Sequence, residues 1–248
     1  MNDCSARFIE QLESALTANI RLHSVDSFVQ TYKVNHPGEV VPSTKTIYRY
    51  IKEGVLAIKP IDLPKMVSIR KRSKKVMKTN KKTLGKSVEE RPEYINDRSE
   101  FGHWEIDLVL GKKTKGEAVM LTLVERQTRY ALGVKLEDKQ SQTINRAVTH
   151  LISQYPIASI TADNGSEFSL LSNLEAVEVY FAHPYSSHER GKNENFNGLL
   201  REYVPKGVSL NPLTSEELDN YITAINERPR RLLQYQSSKF LFELSRTA

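Results

Sequence analysis

From His103 onward the chain changes its hydrophobic period, and that change limits the folds open to it. "HWEIDLVLG" alternates, with Trp104, Ile106, Leu108 and Leu110 on one side of a strand and His103, Glu105, Asp107 and Val109 on the other. "EAVMLTLVE" and "RYALGVKLE" read as two further strands, reached through the polar turns "KKTKG" and "RQTR". Three strands in quick succession form an antiparallel meander. A helix follows from about Ser141 to Gln154, with Ile144, Val148, Leu151 and Ile152 facing inward. "IASITAD" is a short buried strand, helical spacing resumes through "EFSLLSNLEAV", "VEVYFA" is a fifth strand, and the remainder is helical. The crossover helix returns strand four to the side of strand one, so the sheet is mixed. The expectation is an α/β domain over 99–248 with five strands and flanking helices.

Within that order "SITADNGSEF" raises a choice. Asn-Gly favours a two-residue hairpin turn. A hairpin needs strands on both sides, and "SEFSLLSNLEAV" lacks β alternation. Asn164-Gly165 therefore launches a helix, and Asp163 falls beyond a strand's carboxyl end, where open α/β sheets place ligands.

Residues 1–60 have a different character. Phe8, Ile9, Leu12 and Leu16 recur at helical spacing, as do Val25, Phe28, Val29 and Tyr32 behind a Ser24 cap. "PSTKTIYRYIKEG" is a third helix, capped by Ser43 or Thr44, with Ile47, Tyr48 and Ile51 as its apolar face and Gly54 as its stop. The pattern suits either a plain helical bundle or a helix-turn-helix that presents Lys45, Thr46, Arg49 and Lys52 outward to DNA.

Residues 61–98 read as a linker, punctuated by prolines and strongly basic. Between Lys65 and Lys86 stand ten Lys or Arg, among them Arg70, Lys71, Arg72, Lys74 and Lys75, and no acid. Taking those ten from the 36 basic residues leaves 26 against 30 acidic ones, so the whole positive excess sits in this segment. A block of like charge is either a solvated linker or a tether along a polyanion, where each neutralised phosphate releases counterions. Elsewhere there is no apolar run of membrane-spanning length and no export signal, which points to the cytoplasm. A single Cys4 permits no internal disulfide, and six scattered histidines offer no zinc spacing.

Three acids stand out: Asp107 within an otherwise apolar strand, with Glu105 sharing its face; Asp163; and Glu194 in "SSHERGKNENFNGLLREYVPKG". The last stretch reads as a helix from near Ser187 with Phe196, Leu199, Leu200 and Tyr203 as its core stripe. Glu194 lies on the opposite side with Gly191 and Gly198, each costing about 1 kcal/mol relative to alanine. Gathered carboxylates repel unless a cation offsets them, and hard oxygen donors suit Mg²⁺ or Mn²⁺.

"GHWEIDLVLG", "TADNGSEF", "YFAHPYSSHERGKNENFNGLLREYVPKG" and "NERPRRLL" together resemble the insertion sequence thirty family of bacterial transposases, with "STKTIYRYI" extending the likeness toward the amino terminus. The family belongs to the DDE group, whose catalytic core is integrase-type and ribonuclease-H-like. The resemblance implies that Asp107, Asp163 and Glu194 are the catalytic, metal-binding triad, holding two Mg²⁺ ions with Mn²⁺ as the alternative. It implies cleavage at element ends and joining of a 3′ hydroxyl to target DNA by a homo-oligomer on double-stranded DNA, in the bacterial cytoplasm at the nucleoid. Arg190, Lys192 and Asn195, which flank Glu194, are further candidates for DNA contact. The resemblance sets two expectations that the given sequence does not match: family members usually carry a further helix-turn-helix ahead of "STKTIYRYI", for which the stretch before it reads as too short, and the 30 residues between Asp163 and Glu194 are slightly fewer than the family pattern implies. They keep open a non-catalytic DNA-binding protein derived from such a transposase.

Overall fold

The computed structural model describes residues 6–63, 84–183 and 191–247, the last span without the side chains of 191–194. The chain divides into two compact units: residues up to 75 together with Glu227–Phe240, and residues 76–226 together with Leu241–Ala248.

The first unit is helical. α1 (Ala6–Thr17), α2 (Val25–Asn35) and α3 (Thr44–Lys52) enclose Phe8, Leu12, Leu16, Phe28, Val29, Tyr32, Ile47 and Ile51. The expected caps are in place. The Ser24 hydroxyl accepts from the Ser27 amide and the Ser43 hydroxyl from the Thr46 amide, each meeting a donor left unpaired at a helix start. Gly54 takes φ +72° just after α3, a conformation that costs a side-chain-free residue little. Ile47 and Ile51 are buried, but Tyr48 is 39% exposed, because a step of about 100° per residue turns it off the stripe they define.

The second unit is built on a sheet with strand order β1-β6-β5-β2-β3-β4. Its strands are β1 (Lys86–Ser87), β2 (His103–Leu110), β3 (Val119–Glu125), β4 (Ala131–Leu136), β5 (Ser159–Ala162) and β6 (Glu178–Phe181). β2, β3 and β4 pair antiparallel, while β5 pairs parallel with β2 and β6 with β5. The meander and the crossover are as expected. The sheet has six strands rather than five, because Lys86 and Ser87 add a parallel edge beside Tyr180 and Phe181. A two-residue strand leaves no alternation to read.

The fold differs from the expected boundaries in two further places. Within 61–98, Leu84 packs on the sheet core, a 3-10 turn follows at Val88–Glu90, and α4 (Glu93–Asn96) buries Ile95. Within 99–248, Glu227–Phe240 groups with the amino-terminal helices. The predicted helix after Gly165 is a 3-10 helix, Ser166–Asn173, which buries Phe168 and Leu171.

The two faces of the sheet are filled differently. On one, Trp104, Ile106, Leu121, Leu123 and Ile160 meet Ile144, Val148 and Leu151 of α5 (Ser141–Gln154) and Phe242 of α8 (Ser238–Thr247). Trp104 is fully buried, with its indole N–H on the Pro156 carbonyl at 3.0 Å. On the other, Val109, Met120 and Val124 pack against α6 (Gly191–Leu200) and α7 (Ser215–Glu227) through Phe196, Leu200, Leu218, Ile222 and Ile225. α7 lies so close to Gly133 that a β-carbon there would come within 2.1 Å of Ile222 Cδ1. At the outer strand the Asn226 side chain takes the place of a neighbouring strand: its Oδ1 accepts from the Ala131 amide at 2.9 Å and its Nδ2 donates to the Ala131 carbonyl at 2.8 Å.

Candidate active site

β2 and β5 run parallel, with His103 opposite Ser159, Trp104 opposite Ile160 and Glu105 opposite Thr161. Carried forward by one more pleat, the same register sets Asp107 opposite Asp163, the first residue beyond β5. Adjacent strands lie about 4.8 Å apart, and residues two apart share a face, so the two acids belong to one edge and one side of the sheet. Alternation in β2 and the strand-end turn after Ala162 produce this placement together.

Each acid is held. Asp163 Oδ1 accepts from the Gly165 amide at 3.0 Å, closing the turn that "DNG" encodes. A β-carbon at Gly165 would stand 2.7 Å from the Glu167 carboxyl and 2.8 Å from Asp163 Oδ1, so a side chain there would displace the ends of both acids. Asn164 Oδ1 accepts from the Leu84 amide at 3.0 Å. Asp107 Oδ2 accepts from Asn197 Nδ2 at 2.7 Å. The Thr122 hydroxyl lies 3.3 Å from the Asp107 carbonyl and 3.5 Å from Asn197 Oδ1. Asn197 sits on α6, one helical turn after residue 194, and α6 packs on β2 and β3.

Beneath these acids, on the same face, lies a buried ionic layer. Glu105 and Arg126 form a 2.6 Å pair with both side chains buried. Arg126 Nε also donates to the Ile95 carbonyl at 3.2 Å, and Arg91 donates to the Thr161 hydroxyl at 3.0 Å and to Asn96 at 2.7 Å. The Glu125 carboxylate accepts from the amides of Gln127 and Thr128 and from the Thr128 hydroxyl, tightening the "RQTR" turn in which Arg129 takes φ +65°. Burial, reinforced by Arg98, pulls the Arg129 guanidinium down to about 10. Burial likewise lowers the pKa of His103, whose Nδ1 lies 2.8 Å from the Ser159 hydroxyl. Glu105, which shares a face with Asp107, is thus committed to Arg126.

The remaining site expectations fall as follows. Lys45 and Arg49 are exposed on α3 and Thr46 is half-buried. Asn195 is exposed on α6. Arg70, Lys71, Arg72, Lys74, Lys75 and Arg190 lie outside the described residues, as do the side chains of Lys192 and Glu194. Among the described residues no three acids or histidines group closely enough to hold a metal. Asn197 and Thr122 are the polar groups that sequence reasoning missed. Their only signal is that Asn197 stands three residues after Glu194, on a face that also carries Gly198.

Residues 97–187 match the integrase core domain family. The chain is 58% identical over 248 residues, spanning all of itself and 72% of the relative, to the "Probable transposase for insertion-like sequence element IS1161" of Streptococcus salivarius. The chain belongs to the insertion sequence thirty family of transposases. Within that family it is 36% identical to transposase InsI for insertion sequence element IS30A of Escherichia coli strain K12, over 80% of this chain and 54% of that protein. It therefore spans about half the length of the Escherichia coli relative. The crystal structure of the catalytic core domain of BIV integrase aligns with a TM-score of 0.46 at 15% identity, covering 59% of this chain and 96% of that one. The residues matched by the integrase core domain span β2 to β6 of the sheet. Among the described residues no helix is long and apolar enough to cross a membrane.

Proposed function

We propose that the chain is a DNA strand-cleaving and strand-joining transposase in which Asp107, Asp163 and Glu194 form the metal-binding triad. The observation that carries this reading is the parallel register of β2 with β5, His103 to Ser159 through Glu105 to Thr161, which continued by two residues brings Asp107 opposite Asp163 just past the end of β5. The donor set fits hard divalent cations: the Asn197 amide engages one oxygen of Asp107 and the Gly165 amide one oxygen of Asp163, each a neutral partner that orients a carboxylate without cancelling its charge. When bound, two Mg²⁺ ions would activate a water or 3′ hydroxyl and stabilise the leaving oxygen of an in-line displacement. The protein's part is to fix the carboxylates from β2, the β5 end and α6, and to keep Glu105 out of the site through Arg126. Lys45, Thr46 and Arg49 of α3 would contact element-end DNA, the basic segment with Arg70, Lys71, Arg72, Lys74 and Lys75 its phosphates, and Arg190, Lys192 and Asn195 the strand at the site. The partners on this reading are terminal-repeat and target duplexes and further copies of the chain, in the cytoplasm at the nucleoid.

Mg²⁺-dependent nicking of a duplex bearing the element's terminal repeat tests the proposal. Asp163→Asn should lower nicking by roughly a thousand-fold, the size expected for losing several kcal/mol of transition-state stabilisation, with unchanged thermal stability. Salt-sensitive binding by both proteins with nicking by neither would support the non-catalytic DNA-binding alternative.

A further inference from the structure

"NERPRRLL" is a family-diagnostic motif to which the active site gives no task. Its fold is unexpected: Glu227–Phe240 belongs to the same compact unit as α1, α2 and α3. The segment is held there by specific bonds. Arg228, buried, donates from Nη2 to the Arg21 carbonyl at 2.7 Å. Arg230 donates to the Ser238 hydroxyl at 2.7 Å, while the Tyr235 amide returns to the Arg230 carbonyl at 2.9 Å. Between them Gln234 and Tyr235 take φ +53° and +63°. Two consecutive non-glycine residues in the left-handed region cost on the order of 1–2 kcal/mol each, and such strain persists only where the surroundings impose it.

That strained turn delivers the Tyr235 hydroxyl to Asp26 Oδ2 at 3.0 Å. The other oxygen of the same carboxylate, Oδ1, accepts from the Thr44 hydroxyl at 3.2 Å. Asp26 lies in the first turn of α2, where the helix dipole favours an anion, and Thr44 is the first residue of α3. One carboxylate therefore joins the start of α2, the start of α3 and a residue 209 positions beyond Asp26 in the chain. The Tyr48 hydroxyl, on α3, also feels Asp26, which adds to the effect of burial in raising its pKa.

From this juxtaposition we infer that residues 227–240 are a working part of the DNA-recognition unit, and that Tyr235 is a positioning residue that sets the start of α3 through Asp26. The inference rests on the proposed role of α3 in reading element-end DNA. A recognition helix reads bases from its first turns, so a small displacement of its start alters base contacts more than phosphate contacts. The device gives the carboxyl-terminal motif a task in sequence discrimination.

The test compares affinities of the 248-residue chain for two duplexes: one enriched by the parent protein from a random-sequence pool, and a scrambled duplex of equal length. Tyr235→Phe removes only the hydroxyl. It should lower the ratio of the two affinities about ten-fold, within the range for losing a hydrogen bond to a charged group, while affinity for the scrambled duplex and its salt dependence stay as in the parent. Thr44→Val, which breaks the other half of the link, should produce the same selective loss. Gln234→Gly relieves the left-handed cost while keeping the hydroxyl, so it should leave the ratio intact whatever it does to melting temperature. The inference is overturned if Tyr235→Phe keeps the parent ratio, or if it weakens both duplexes equally. A parent protein that enriches no sequence removes the α3 reading and this inference with it.

Discussion

The two faces of β2 differ in kind. Trp104, Ile106 and Leu108 enter an apolar layer against α5, while His103, Glu105 and Asp107 line a polar face that grades from buried ion pairs to the candidate active site. An apolar layer tolerates small adjustments, since packing is non-directional. A buried ionic layer does not, because each member left without its partner carries a desolvation cost. The strand thus has a forgiving side and an exacting one, and the carboxylates stand on the exacting one.

The sharpest way to break this contrast is to remove one member of the buried pair. Arg126→Met should cost about 3–5 kcal/mol in urea unfolding, whereas the double change with Glu105→Leu should recover most of that loss. Similar costs for both proteins would mean that the layer is not coupled. Next in size, Asn197→Leu keeps volume but removes the donor to Asp107. It should weaken Mn²⁺ binding by about ten-fold, measured calorimetrically, as loss of an outer-shell partner typically does. On the apolar face, Ile106→Val should cost only about 1 kcal/mol and leave Mn²⁺ binding alone.

The smallest effect concerns pH. Burial lowers the folded-state pKa of His103 below its ordinary value near 6.5, with Arg126 and Arg91 acting in the same sense against Glu100. Above about pH 6.5 the ring is neutral in both folded and unfolded chains and imposes no penalty. Below it the unfolded chain takes up the proton first, so stability falls with pH until the folded ring titrates as well. His103→Asn should flatten the slope of unfolding free energy just below about pH 6.5. The remaining slope would include His23, which burial and Arg228 also lower.

Much of this contrast was legible in the chain. Period-two spacing placed Asp107 and Glu105 on one face and Trp104 on the other, and the absence of β alternation after Gly165 placed Asp163 at a strand end. Ser24, Ser43 and Gly54 announced their helix boundaries through local chemistry. What escaped was non-local. Arg126 and Arg129 sit in a stretch that reads as a polar turn, and only the fold turns them inward over Glu105. Asn197 resembles any surface asparagine until α6 is laid on β2. The contact between Tyr235 and Asp26 spans too much sequence for any periodicity to carry it. The segment Ser166–Asn173 has helical spacing but closes as a 3-10 helix, since buried Phe168 and Leu171 stand three apart, the repeat of that tighter turn.

Asn226 bears on how such proteins behave in company. By offering an amide to Ala131 where another strand would dock, it occupies the first outward-facing peptide group of the border strand. That end of the border is thereby blunted: a side chain already holds the peptide groups to which an incoming backbone would bind.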